Sequence, residues 1–419
     1  MCGCVCDDLT LRVQDGRIVA TEGACALSEP WLLRQTANDQ PRARIDGSRV
    51  PLEEAVQRAA NLLSNSRAPL IYGLSTSSTA GQRAAVRLAD QLGATIDTTA
   101  STCHAPSILA VQSVGESTSS LGEVRNRADV IVYWGSNPLE SHPRHVERCV
   151  EASGMFVPGG RRDRQVVVVD VERTATAELA DRFIQVEPGS DFEVLWALRA
   201  LLKGVALRVA AVGGVPGEEL AALADCLKSC RYGAVFFGLG LTKHGVAHAN
   251  VEALLRLVTD LNAHTRCIAR RMRVPGDVAG ADSVLCWQTG FPFSVNLARG
   301  YPRYNPGEYT ANTLLERGEV DATVMVGSEG VKKLSAAARQ YLSRIPNIVL
   351  DNPISIAENG IPATVQFTTA VYGVHRPGTA YRMDEVPIPL RQVLPSSLPS
   401  DDEILTAIGK VLRGLQRNR

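Results

Sequence analysis

The sequence predicts an α/β protein: parallel sheets covered by helices, preceded by a small cysteine-bearing β lobe. Two patterns predict it. Short β-branched runs recur along the chain, most clearly Val130-Ile131-Val132-Tyr133-Trp134, Val166–Val169 and Ile348–Leu350. Runs that are apolar on both faces suit strands of a parallel sheet buried on both sides. Between them lie stretches with apolar residues at helical spacing, at 52–66, 81–92, 191–202, 248–261 and 331–343. In open sheets of this kind, ligands sit beyond the carboxyl ends of the strands. The loops after Trp134, Asp170 and Val326 are therefore the first candidates for a site.

Residues 1–50 read as a separate lobe with four cysteines and two short strands at 9–13 and 17–20. Residues 51–366 form the α/β body, as one or two domains. Residues 367–419 combine a Pro- and Gly-rich extended stretch, expected to wrap a neighbouring protein chain, with a terminal helix at 402–415.

The 419 residues carry 44 basic and 44 acidic side chains, so the net charge is zero. Such a chain has no global field to gather nucleic acid or an anionic membrane. No run approaches the roughly 20 apolar residues that span a bilayer. The opening Met-Cys-Gly-Cys-Val-Cys-Asp-Asp has neither the basic nor the apolar region of a secretory leader. A cytoplasmic location is expected, where ten cysteines serve as thiols or metal ligands rather than disulfides.

Cys2, Cys4 and Cys6, followed by Cys25, have the dense spacing of an iron–sulfur thiolate cage. Cys149, Cys226, Cys230, Cys267 and Cys286 lie in apolar surroundings and read as small core residues. Cys103 differs, because it stands beside His104 in the polar loop Ser101–Ser107, where a thiolate can act as metal ligand or nucleophile. The string 238–245, Gly-Leu-Gly-Leu-Thr-Lys-His-Gly, resembles a phosphate-cradling turn without either standard spacing. His142 and His145 are expected in capping or surface roles.

Several longer strings then point to one family. They include Cys-Asp-Asp-Leu at 6–9, Cys-His-Ala-Pro-Ser at 103–107 and Tyr-Trp-Gly-Ser-Asn-Pro-Leu-Glu-Ser-His-Pro-Arg-His at 133–145. Others are Trp-Gln-Thr-Gly-Phe-Pro-Phe at 287–293 and Arg-Gly-Tyr-Pro-Arg-Tyr-Asn-Pro-Gly-Glu at 299–308. Over nearly its whole length the chain resembles the B-type component of formylmethanofuran dehydrogenase, a pterin-dependent oxidoreductase, and most of all the bacterial version in formyltransferase/hydrolase complexes of methylotrophs. The resemblance implies A-, C- and D-type partner subunits. It implies Cys103 as ligand to tungsten or molybdenum, with His104 and Arg273 at the substrate. It implies that Gly135, Ser136, Asn137 and Pro138, and Asp170, Arg173 and Thr174, approach the pterin dinucleotides.

Two departures qualify this. The family's cluster motif is C-x2-C-x3-C plus a distant cysteine; Cys2, Cys6 and Cys25 match three positions and the first falls upstream of Met1. After Arg273 comes Val274-Pro275-Gly276, a turn that changes the loop backbone. The departures lead to the expectation of a redox-silent scaffold without retained cofactors, in a complex that releases formate from formyl-tetrahydromethanopterin. The alternative is a working carbon dioxide/formate subunit with a tungsten- or molybdenum-bis(pterin guanine dinucleotide) and one four-iron cluster.

Overall fold

The β-branched runs become strands of two sheets in the computed structural model, which describes residues 2–37, 42–274, 276–359 and 361–417. The chain forms two units: Cys103–Val274, and Gly3–Thr102 together with Pro275–Arg419. This division cuts the chain elsewhere than at 50 and 366. The two ends of the chain share one unit because their apolar side chains share a core: Ile18 and Leu32 of the amino-terminal lobe cluster with Val371, Val374 and Leu394.

The Cys103–Val274 unit is built on five parallel strands in the order Arg266–Arg271, Tyr232–Phe237, Val130–Trp134, Gln165–Asp170 and Arg182–Gln185. One face is packed by Val132, Trp134, Val169 and Phe237 against Leu198, Leu254 and Val258 of the helices Asp191–Leu202 and Ala247–Leu261. A π-helical turn at Glu147–Glu151 is fixed by Arg164, which is only 4% exposed. Its guanidinium donates to the carbonyls of Arg125 (2.6 Å), Ala128 (3.2 Å), Val150 (2.6 Å) and Ala152 (2.8 Å). Five fixed donors on one planar group suit this task, since the carbonyls would otherwise be buried without partners.

The second unit holds a nine-stranded sheet. Its five central strands are parallel, in the order Thr95–Thr98, Pro69–Gly73, Ala322–Val326, Asn347–Asp351 and Val365–Thr368. Short antiparallel strands extend both edges, Ala43–Ile45 among them, so the end of the expected lobe belongs to the main sheet. The helices Leu52–Asn65, Thr79–Leu92 and Asp401–Arg417 bury their apolar stripes together, with Leu63, Leu88, Ile404 and Ile408 at the centre. Pro275, in the Pro-Gly turn noted above, lies outside the described residues.

Two expectations change. The helix read over 331–343 is broken: a 3₁₀ turn at Glu329–Lys333 ends before Ser335, whose hydroxyl accepts the Ala338 amide at 3.1 Å and starts a new helix, Ala336–Leu342. Serine at such a position caps better than it propagates. The stretch 367–398 contains a hairpin, Gly378–Tyr381 with Pro387–Leu390, and buries Phe367, Leu394 and Leu398 completely. These apolar groups therefore pack within their own unit. Among the described residues, no helix is long and apolar enough to cross a membrane.

Replacing Arg164 by Met would remove the donors from four carbonyls, and the bonds lost at Ala128 and Val150 are fully buried. The expected outcome is a loss of about 3 kcal/mol or more in unfolding free energy, read from urea denaturation monitored by circular dichroism.

Candidate cofactor and active site

All five strands of the Cys103–Val274 unit point the same way, so the loops at their carboxyl ends form one rim. Gly135 follows Trp134 with φ +54°, and a Cβ there would lie 2.6 Å from the Leu241 nitrogen. On the facing loop, a Cβ on Gly238 would meet the Gly135 carbonyl oxygen at 2.6 Å, and one on Gly240 would meet the Gly135 Cα at 2.7 Å. The amide of Gly240 donates to the Gly135 carbonyl at 3.0 Å. Gly238 and Gly240 of the 238–245 string thus serve close packing of two backbones, a contact only glycine allows.

Asn137 links the next pair of loops. Its Oδ1 accepts from the Thr176 hydroxyl at 2.6 Å and the Thr176 amide at 3.3 Å. Pro138 then opens the short helix Pro138–Ser141, and Ser136 is buried beside Gly238. Asp170, at the end of its strand, accepts the Val171 amide at 2.8 Å, and burial raises its pKa. Thr174 precedes the turn Ala175–Glu178, whereas Arg173 is exposed and engages Glu178 at 2.7 Å. Asp191 joins the rim from the chain beyond Arg182–Gln185: it accepts Trp134 Nε1–H at 2.7 Å, and burial raises its pKa too. Helical spacing over 191–202 gives no sign of this carboxylate's role, because its partner lies 57 positions away.

Arg273 stands just past the Arg266–Arg271 strand and is 3% exposed. The neighbouring Met272 amide donates to Phe237 at 2.9 Å, and the Arg273 carbonyl meets His142 Nε2 at 2.9 Å. His142 and His145 are not surface residues: both are almost wholly buried, and His145 packs edge-on against Tyr133 and Phe236. Burial lowers the His142 pKa to about 4 and that of His145 to about 3. Arg271 pairs with Glu116 at 3.3 Å, both nearly buried. Cys103 and His104, 9% and 2% exposed, head the helix Ala105–Val114, which packs against Ala247–Leu261. The fold thus gathers Gly135, Ser136, Asn137, Pro138, Asp170, Thr174 and Arg273 on one sheet edge. Cys103 and His104 enter on a separate helix.

The other sheet has a cleft of about 550 Å³, mouth included, at its own carboxyl edge, lined by Ser75, Gly327, Glu329, Asp351, Tyr372 and Asp401 among others. Only the loop after Val326 was marked by sequence. Asp351 accepts the Ser328 amide at 2.8 Å, the Ser328 hydroxyl and the Asn352 amide at 2.8 Å, yet desolvation outweighs these bonds and raises its pKa to about 6. At the amino end, Cys2, Cys6 and Cys25 are half-buried and Cys4 is buried. Among the described residues, no group of three or more His, Cys, Asp or Glu side chains is arranged to hold a metal ion. Cys286, expected in apolar surroundings, is exposed.

No protein-family profile matches the chain. Solved structures share its fold. The formyltransferase/hydrolase complex from Methylorubrum extorquens in complex with methylofuran superimposes with a TM-score of 0.74, covering 90% of this chain and 99% of that one at 24% identity. Acetylene hydratase from Pelobacter acetylenicus gives 0.59, with 88% and 59% covered at 14% identity. The fold is that of the pterin oxidoreductases. In sequence, the chain is 42% identical to the B-type component of the tungsten-containing formylmethanofuran dehydrogenase 2 of Methanocaldococcus jannaschii, over 98% of this chain and 97% of that protein. It is 27% identical to the B-type component of the formyltransferase/hydrolase complex of Methylorubrum extorquens, over 68% and 74%. The chain belongs to the family of B-type formylmethanofuran dehydrogenase components.

Asp351 gives a pH signature. Its unfolded pKa is near 3.8 and its folded value about 6. Between these the folded chain keeps a proton that the unfolded chain releases, so the protonated group's contribution is present at pH 4 and lost as pH rises through about 6. Relative to Asp351→Asn, the wild type should lose about 2 kcal/mol of stability from pH 4 to pH 7, measured by denaturation at each pH.

Proposed function

We propose that this chain is the metal-bearing component of a formylmethanofuran dehydrogenase-type complex, interconverting carbon dioxide and formate beside A-, C- and D-type partners. The observation that carries this is the buried Cys103–His104 pair at a helix head, in a chain that aligns end to end with a relative from a tungsten-containing enzyme. Alignment with the formyltransferase/hydrolase relative is weaker and covers two thirds of the chain.

The donor set fits the group. A soft thiolate from Cys103 suits a tungsten or molybdenum ion held by dithiolenes. The rim at Gly135–Pro138, Asp170 and Thr174 offers small residues and acceptors for one pterin dinucleotide, with the exposed Arg173 as a cation for its phosphates. When bound, the metal–pterin group supplies the two-electron couple between carbon dioxide and formate. Arg273 binds the carboxylate oxygens through its planar fork, and His104 donates to the charge that develops on them. Burial of both side chains excludes water and strengthens these interactions.

A second reading, a redox-silent scaffold for formyl transfer and hydrolysis on partner subunits, is favoured by the likeness to a solved formyltransferase/hydrolase complex over 90% of this chain.

Elemental analysis of the purified complex separates the two. The proposed function requires about one tungsten or molybdenum per copy of this chain, and Cys103→Ala should lower formate-dependent dye reduction by roughly a hundredfold or more. A complex free of tungsten, molybdenum and iron, whose formate release survives Cys103→Ala, establishes the scaffold reading instead.

A further inference from the structure

The loop that carries Arg273 is tied down from across the sheet. Its strand lies at the edge, with Tyr232–Phe237 between it and Val130–Trp134. One tie is local, from the Met272 amide to Phe237 at 2.9 Å. The other comes from two strands away. His142, at the end of the short helix Pro138–Ser141, reaches the Arg273 carbonyl with Nε2 at 2.9 Å, and its Nδ1 lies 2.8 Å from the Ser141 hydroxyl.

The chemistry fixes the tautomer. A carbonyl can only accept, so Nε2 carries the proton and Nδ1 accepts from Ser141. The ring is fully buried and burial favours its neutral form, which agrees with one proton and two oriented bonds. The Ser141 hydroxyl also lies 3.0 Å from the Asn137 carbonyl, which the amides of Glu140 and Ser141 already occupy, leaving the hydroxyl proton free to turn to Nδ1. A chain of bonds therefore runs from Thr176 through Asn137 and the helix Pro138–Ser141 to His142 and Arg273.

We infer that His142 is the positioning residue for Arg273, fixing the backbone from which the guanidinium meets the substrate carboxylate. The inference rests on the proposed role of Arg273. Without the Nε2 donor the Arg273 carbonyl turns, and the fork loses register with a planar two-oxygen substrate, which weakens binding more than turnover.

The test uses the purified complex with His142→Leu, His142→Gln and Ser141→Ala. Glutamine keeps an N–H donor of similar reach; leucine does not; Ser141→Ala keeps the ring and releases it. Hydrogen–deuterium exchange followed by mass spectrometry should show faster exchange of the 271–274 segment in His142→Leu, an intermediate rate in Ser141→Ala, and near-wild-type protection in His142→Gln. With metal content unchanged, the KM for formate should rise about tenfold in His142→Leu with kcat within about twofold, and fall back in His142→Gln. Unchanged exchange in His142→Leu, a glutamine variant no better than leucine, or faster exchange without a KM change in a metal-loaded complex overturns the inference. If the wild-type complex carries no tungsten or molybdenum, the proposed function fails, while the exchange experiment still decides whether His142 holds this loop.

Discussion

The contact on which the rim depends is the meeting of three glycines. Gly135, Gly238 and Gly240 bring the loops after two neighbouring strands together backbone against backbone. A single methyl group on any of them would meet main-chain atoms at 2.6–2.7 Å, and backbone cannot step aside as a long side chain can. This spacing fixes where the chain leaves Val130–Trp134, and hence where Asn137 meets Thr176 and where the helix Pro138–Ser141 begins. The position of His142, and through it Arg273, follows.

The buried polar groups above this frame are kept mostly uncharged. Desolvation drives His142 and His145 toward the neutral ring. Charge is confined to well-placed positions such as the Arg271–Glu116 pair and Arg164 among its four carbonyls. An interior built this way leaves the field at the rim to the few groups that a ligand must meet, since every further buried charge would need its own partner.

Much of the fold was legible because the parallel strands are short β-branched runs that need no partner to be recognised. The pterin-oxidoreductase fold and the formylmethanofuran dehydrogenase family were legible too, from strings around Cys103 and Tyr133. What was hidden depends on distance in the chain. The carboxylate of Asp191 acts through Trp134, and the cleft joins Ser75 to Asp351 and Asp401, which lie hundreds of positions further along the chain. The two histidines at 142 and 145 sit in a polar string, so nothing local announces that aromatic rings and a distant carbonyl enclose them. The break at Ser335 was masked by an apolar periodicity that continues across it.

The order of the units along the chain bears on how the protein is made. Cys103–Val274 is contiguous and leaves the ribosome complete, whereas its companion is interrupted and ends with the Asp401–Arg417 helix. That last helix covers the apolar stripes of Leu52–Asn65 and Thr79–Leu92. At about 5–20 residues per second, those two early helices wait on the order of 15–60 s for their cover. The inserted unit is thus ready while the flanking one still shows sticky surface, and it is the flanking unit that will lean on holding chaperones during synthesis.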